Sequence, residues 1–248
     1  MDPRGTQHPL TFGLDGQGVL ALPPVTGAAE RAAAGDAQAL LGVLIGPAAG
    51  RLTVGDRDRV LAGLYGDLYG WDVLADARCS GCQARYELRF SLKDLLASRQ
   101  PDGSASGKAP SVPVDAARVR LPLVEDLEGG AEDLIARLTV EGEPPQADAA
   151  EAALEAADPA LELDLNGTCP ECDAKQAVPF SMSGFLGAAL ARDQRFLMRE
   201  VHLIARSYGW SLESILGLTR AERQEFVRLI LAEQGDGPAA RSAVRRVS

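Results

Sequence analysis

A chain of 248 residues with 46% hydrophobic content can bury a core as one domain or as two or three small lobes, although aromatics at 5% are few for a single large one. No apolar run reaches the ~18 residues that cross a bilayer, and Met1-Asp2-Pro3-Arg4 lacks the basic-then-apolar start of a signal peptide, so a soluble chain kept in the cytoplasm is expected. The net charge of −10 is uneven, with 28 acids against 15 bases in residues 1–182 and seven acids against ten arginines in residues 183–248; so acidic a body argues against DNA or RNA as the main partner.

In chain order, residues 1–35 are rich in Gly, Pro and Ala without lasting periodicity and read as an extended or weakly ordered arm that carries His8. A helical N-terminal segment fills 36–70. Asp36 to Ile45 is an apolar helix candidate, and Thr53 with Asp56 has the spacing of a capping box ahead of Val60, Leu61, Leu64, Tyr65 and Leu68, a helical stripe that Gly70 ends. The first Cys-x-x-Cys hairpin occupies 71–98. There Cys79-Ser-Gly-Cys82 leads into Tyr86, Leu88 and Phe90, which alternate with charged residues as in a half-buried strand, and Asp94 to Ser98 suggests a short helix. Residues 99–160 read as an insertion, with a mobile Pro/Gly/Ser-rich loop to Pro113, a short strand at Val119 and Leu121, a helix from Val124 to Leu138 and an acidic, Ala-rich connection.

The second hairpin fills 161–186, with Leu161, Leu163 and Leu165 alternating ahead of Cys169-Pro-Glu-Cys172. A C-terminal helical module spans 187–234. Leu197, Val201, Ile204 and Tyr208 share one helix face, and Gly209 stops that helix. Ser211 caps a short helix holding Leu212, Ile215 and Leu216, and Thr219 with Glu222 boxes a third. A basic disordered tail, 235–248, carries Arg241, Arg245 and Arg246.

The two cysteine segments repeat each other: Cys79, Cys82, Phe90 and Ser91 recur 90 residues later as Cys169, Cys172, Phe180 and Ser181. In a reducing compartment, cysteines in two close pairs read as metal ligands before disulfides. Zinc bound by thiolates takes four ligands in a tetrahedron, and each Cys-x-x-Cys turn offers two, so the pattern points to one structural Zn2+ held by Cys79, Cys82, Cys169 and Cys172. The 86 residues between Cys82 and Cys169 exceed the usual ribbon spacing, but repeated strands can pack as a pseudo-symmetric pair. Four sulfurs leave no open position for a substrate, which disfavours a catalytic zinc. A thioredoxin-like dithiol would need a nearby βαβ pattern and an activated thiol, and neither turn is expected to open a long helix. Metal-free knuckles held by apolar packing are the remaining alternative.

His8 and His202 are the only histidines, so a histidine triad has little material, and His202 reads as a packing residue beside the apolar stripe. No phosphate-binding glycine loop or nucleophile elbow is present, so no catalytic residue, enzymatic activity or small-molecule substrate is assigned. Trp71 and Trp210 each follow a glycine at the end of a predicted helix, as core-edge plugs or, if exposed, as interface anchors.

The run Leu197-Met198-Arg199-Glu200-Val201-His202-Leu203-Ile204-Ala205-Arg206-Ser207-Tyr208-Gly209-Trp210-Ser211-Leu212-Glu213-Ser214-Ile215-Leu216, continued by Leu218, Arg220, Arg223, Leu229 and Ile230, resembles a segment shared by baseplate assembly proteins of contractile-tail bacteriophages and of phage-tail-like contractile injection systems. The paired knuckles and the Asp56-Arg57-Asp58-Arg59 helix start extend the resemblance over residues 53–233, while the N-terminal arm departs from it. The resemblance implies a non-enzymatic part of the baseplate or a factor assisting hub or wedge assembly. Its partners would be other baseplate, hub or tail proteins, met in the cytoplasm during assembly and then in the particle. It also implies Glu200, Val201, His202, Tyr208, Trp210, Ile215 and Leu216 as a partner-binding surface. The expected fold is α+β, a small zinc-ribbon-like β core of two Cys-x-x-Cys hairpins with flanking helices and a C-terminal helical bundle. A zinc-ribbon regulatory adaptor that binds nucleic acid or a transcription-type partner through its basic C-terminal helices is the alternative, and a dithiol oxidoreductase a third.

Overall fold

The computed structural model describes residues 5–101, 111–129 and 133–235, and there the chain folds as α+β, with small antiparallel sheets joined to helices. No helix among the described residues is long and apolar enough to cross a membrane.

The segment expected as an extended arm contains a hairpin, β1 (Thr6–Leu14) paired with β2 (Gln17–Leu22). Asp15 and Gly16 turn it with φ of 52° and 79°, the two successive positive values that a tight hairpin needs and that Asp-Gly adopts readily. A distant carboxylate holds it to the body: Asp56 Oδ1 accepts the Thr11 N–H at 2.7 Å and Oδ2 accepts the Phe12 N–H at 2.9 Å.

Helices α1 (Gly27–Ala33) and α2 (Ala37–Ile45) follow, capped by Thr26 and Asp36, whose side chains accept the Ala29 and Ala39 amides. Helix α3 (Val54–Tyr69) starts as its spacing predicts, with the Thr53 hydroxyl accepting the Asp56 amide at 3.2 Å. Its Val60, Leu61 and Leu64 belong to the largest core cluster, together with Leu40 and Leu41 of α2. Three buried carboxylates gather at its first turn, where the helix dipole favours negative charge. Besides Asp56, Asp58 accepts the Leu161 N–H at 2.8 Å, and Asp158 accepts both the Gly55 N–H and the Arg59 guanidinium at 2.9 Å. The helix start thereby ties the N-terminal hairpin to the approach of the second knuckle.

Strands β3 (Asp72–Arg78) and β4 (Arg85–Ser91) form the first knuckle hairpin and lead into α4 (Leu92–Ser98). The insertion supplies β5 (Ser111–Val114), β6 (Ala117–Arg120), α5 (Leu134–Leu138), β7 (Thr139–Glu141) and α6 (Ala147–Ala157). Its three strands pair in sequence order around a small core of their own, Val114, Val119, Leu121, Leu138 and Leu154, closed by Phe12 of β1. The single helix expected from Val124 to Leu138 is a 3-10 turn, Val124–Gly129, followed by α5. Asp126 folds back there, accepting the Leu123 N–H at 2.8 Å and bridging Arg120 at 2.6 Å, which favours a tight turn over a continuing helix. The loop expected to be mobile falls mainly on residues 102–110, and the basic tail on 236–248, both outside the described residues.

Strands β8 (Glu162–Thr168) and β9 (Lys175–Ser181) make the second knuckle hairpin. From it runs α7 (Met182–Tyr208), one helix of 27 residues that crosses the boundary expected between the second hairpin, 161–186, and the C-terminal helical module, 187–234. As expected, neither cysteine turn opens a long helix: each leads into a strand, β4 or β9, and α7 begins only after β9 ends. At Gly187 an added Cβ would stand 2.7 Å from the Gly35 carbonyl oxygen, so glycine there admits the α1–α2 turn against α7 and does not mark a break. Helices α8 (Leu212–Leu216) and α9 (Arg220–Gly235) pack with α7 around Leu197, Val201, Ile204, Ile215, Leu216 and Ile230.

Candidate metal centre

Both cysteine turns are built alike. The Cys79 N–H donates to the Ala84 carbonyl at 2.9 Å and the Gln83 N–H to the Cys79 carbonyl at 3.0 Å; Cys169 with Ala174 and Asp173 with Cys169 repeat this at 3.0 Å and 2.9 Å. Gln83 and Asp173 both take left-handed backbone, φ 62° and 56°, which curls each chain around its own pair of sulfurs. The flanking register repeats too: Asp72 lies opposite Ser91 and Arg78 opposite Arg85 in the first hairpin, Glu162 opposite Ser181 and Thr168 opposite Lys175 in the second. Even the hairpin ends correspond, since the Leu92 amide donates to the Trp71 carbonyl and the Met182 amide to the Leu161 carbonyl, each at 2.9 Å.

The two turns meet sulfur to sulfur. Cys79 Sγ lies 3.6 Å from Cys172 Sγ, Cys82 Sγ lies 3.6 Å from Cys169 Sγ, and all four sulfurs fall within 4.8 Å of one another. A disulfide requires ~2.05 Å, whereas a tetrahedral ion with metal–sulfur bonds of ~2.3 Å spaces its sulfurs ~3.8 Å apart. Spacing and donor chemistry both fit a metal ion. Cys79 and Cys169 are buried beside Ala77 and Tyr86, and Cys82 and Cys172 form the exposed rim.

Electrostatics point the same way. Hydrogen bonds from the Cys82 and Gly81 amides favour the Cys79 thiolate, lowering that thiol to about 6; the Gly81 N–H lies 3.3 Å from its sulfur. The Ala174 amide favours a thiolate at Cys172, but the neighbouring Cys82 and Cys79 sulfurs outweigh it and push that thiol up to about 12. Ionising one sulfur suppresses the next, so four thiolates at these distances coexist only around a cation. Beside the cluster, Gln176 of β9 clamps the first turn: its Oε1 accepts the Ser80 N–H at 2.8 Å, and its Nε2 donates to the Arg78 carbonyl at 2.9 Å.

Comparison with known protein families, curated proteins and solved structures returns no match. The geometry therefore carries the argument on its own. A cluster of four cysteines from two symmetric turns can hold a metal in a structural role, and cysteine spacing together with the repeat suffices to find it.

The residues that the resemblance implies as a partner surface divide between inside and outside. Val201, Ile215 and Leu216 are buried where α7, α8 and α9 meet, and Glu200 accepts from Arg223 Nε at 2.9 Å. His202 is exposed rather than packed against the apolar stripe. Tyr208 and Trp210, 38% and 39% exposed, join Phe226 in an aromatic cluster with ring centroids 4.9 to 5.7 Å apart. His8 is buried in β1, its Nε2 2.9 Å from the Thr6 hydroxyl. Sequence reasoning gives no role to Arg223, which is 1% exposed and bonds Glu30 of α1 as well as Glu200 of α7. No local pattern announces it, because its partners lie 193 and 23 residues away.

Proposed function

We propose that this chain is a non-enzymatic structural or assembly component of a contractile-tail baseplate, in which one zinc ion staples a zinc-ribbon-like core and a C-terminal helical bundle docks a partner protein. The observation that carries this reading is the convergence of four cysteine sulfurs within 4.8 Å from two copies of one turn. Bound zinc would supply folding energy and no open coordination position, since four thiolates complete its shell. The protein's own residues do the remaining work: Gln176 fixes the first turn, and the amides of Gly81 and Cys82 stabilise sulfur charge. Support for docking comes from the resemblance across Leu197–Leu216 and from Tyr208 and Trp210, aromatic side chains half open to solvent of the kind that anchor interfaces.

The test has two arms. Metal analysis of the purified chain should find one zinc per chain. Co-expression with the sheath, tube and spike proteins of a contractile tail should recover it bound to a tail protein, less so after Trp210→Ala. A zinc-free, stably folded chain removes the staple; failure to bind any tail protein removes the baseplate assignment.

A further inference from the structure

The outward face of α7 is basic, and the chain leaves most of it unneutralised. At ~3.6 residues per turn, Arg192, Arg195, Arg199, His202 and Arg206 line the side opposite the buried Leu197, Val201 and Ile204, and all five are exposed. Arg192 lies 3.4 Å from its neighbour Asp193, and Arg195 lies over the Phe196 ring at 4.7 Å. Among the described residues, Arg195, Arg199 and Arg206 have no carboxylate partner. Elsewhere Arg51, Arg59, Arg120 and Arg223 are bridged to acids, whereas Arg31, Arg78, Arg85 and Arg89 have no carboxylate partner among the described residues either; α7 differs in gathering its unbridged arginines on one face of one helix. In a chain with 35 acids against 25 bases, the gathering of five basic side chains on one helix face without an acid among them is a local reversal of the overall charge.

Along one edge of the stripe run Phe196, 44% exposed, and the half-buried Leu203, seven positions apart. Arg192, Arg199 and Arg206 share that seven-residue repeat, an advance of ~10.5 Å per step. Two helices packed at a shallow angle keep a common heptad register, so a repeat on one is matched by a repeat on the other. We propose that this face docks an acidic amphipathic helix of a protein partner, whose apolar residues cover Phe196 and Leu203 while its carboxylates meet Arg192, Arg199 and Arg206. A nucleic acid would answer the charge but offers its phosphate backbone, not apolar side chains, to Phe196 and Leu203. It would also bring a polyanion against an acidic body. The inference rests on the docking half of the reading above and adds the chemistry of the partner.

The experiment uses the full-length, zinc-loaded chain and fluorescence anisotropy. The probes are a three-heptad helical peptide with leucines flanked by glutamates, its counterpart with lysines for glutamates, and a short DNA duplex. The glutamate peptide should bind, more weakly as salt rises, and the lysine peptide should not. Arg195→Glu with Arg199→Glu should weaken binding at least ~10-fold with unchanged circular dichroism and melting, since both side chains are exposed. Equal binding by the variant, or none by the parent, overturns the proposal. So does tighter binding of the duplex, or self-association that the same variant abolishes, which would make a second copy the occupant. If tail proteins co-purify while the glutamate peptide fails, the assembly reading stands and this surface falls; peptide binding without tail-protein binding is the reverse.

Discussion

Tyr86 and Gln176 occupy equivalent places in the two knuckles, and they bond to each other: Gln176 Nε2 donates to the Tyr86 hydroxyl at 3.0 Å. Simple twofold symmetry sets like against like, as at Phe90 and Phe180, whose rings meet edge to face at 5.3 Å. At Tyr86 and Gln176 the halves have become complementary instead. Gln176 also holds the Ser80 N–H, but Pro170, the counterpart of Ser80, has no N–H to offer, and a tyrosine stands where a second glutamine would. The divergence gives each knuckle a distinct partner.

That contact can be broken from either side. A Cβ at Gly167 would lie 2.6 Å from the Tyr86 hydroxyl oxygen, so Gly167→Ala should displace the phenol and cost about 1 to 2 kcal/mol. Tyr86→Phe should cost about 1 kcal/mol through the lost hydrogen bond. Both act on one contact, so urea unfolding of the zinc-loaded double variant should show less than the sum. Full additivity would mean that the two residues are not coupled.

What the amino-acid order reveals here is either local or repeated. The 90-residue offset predicts both hairpins, and the spacings at Thr53–Asp56, Ser211 and Thr219–Glu222 predict helix starts that form, because a cap needs only residues within one turn. The hairpin β1–β2 is hidden because residues 1–35 lack a hydrophobic period, although Asp15-Gly16 is a hairpin signal in its own right. Its anchor is the Asp56 carboxylate, 44 residues beyond Phe12, and no spacing rule reaches that far. The boundary expected at 186/187 falls inside α7, because the alternation of the second hairpin gives way to helical spacing without a cap signal other than Ser181. The resemblance marks Val201 and His202 together, yet one faces the core and the other solvent, a distinction that only the packing of α8 and α9 on α7 creates.

Removal of the metal should loosen the centre of the molecule, because a bound structural ion stabilises the folded state alone. Cys79→Ser with Cys169→Ser removes the two buried sulfurs and should abolish zinc binding. EDTA should lower the melting temperature of the parent by about 10 °C or more, and leave the double variant unaffected. A parent melting curve indifferent to EDTA would argue for knuckles held by packing alone.

His8 makes the N-terminal hairpin sensitive to mild acid. Burial lowers its pKa below the ordinary 6.5, and the Asp67 carboxylate at 3.6 Å only partly opposes this. The unfolded chain therefore takes up the proton first: the stability is intact above the unfolded value and is lost as pH falls from there toward the folded one. Each unit of depression is worth about 1.4 kcal/mol. Urea unfolding compared across this range should show a steeper loss for the parent than for His8→Gln, whose side chain does not titrate. Equal slopes would show that His8 is solvated in the native state.

Arg223 joins three helices through charge, with Nε on Glu200 and Nη2 on Glu30, both at 2.9 Å, and Nη1 on the Leu218 carbonyl, also at 2.9 Å. Removing one member of so buried a network strands the others, and Arg223→Ala should cost about 3 to 5 kcal/mol. Arg223→Met with Glu30→Gln and Glu200→Gln should recover most of that loss, since neutral residues of similar volume leave no charge uncompensated. Urea unfolding gives the energies. Hydrogen exchange locates them: in Arg223→Ala the α9 amides should exchange faster while those of β3 and β4 stay protected. A cost below about 1 kcal/mol would mean that water replaces the guanidinium and that apolar packing around Ile230 alone holds α9 in place.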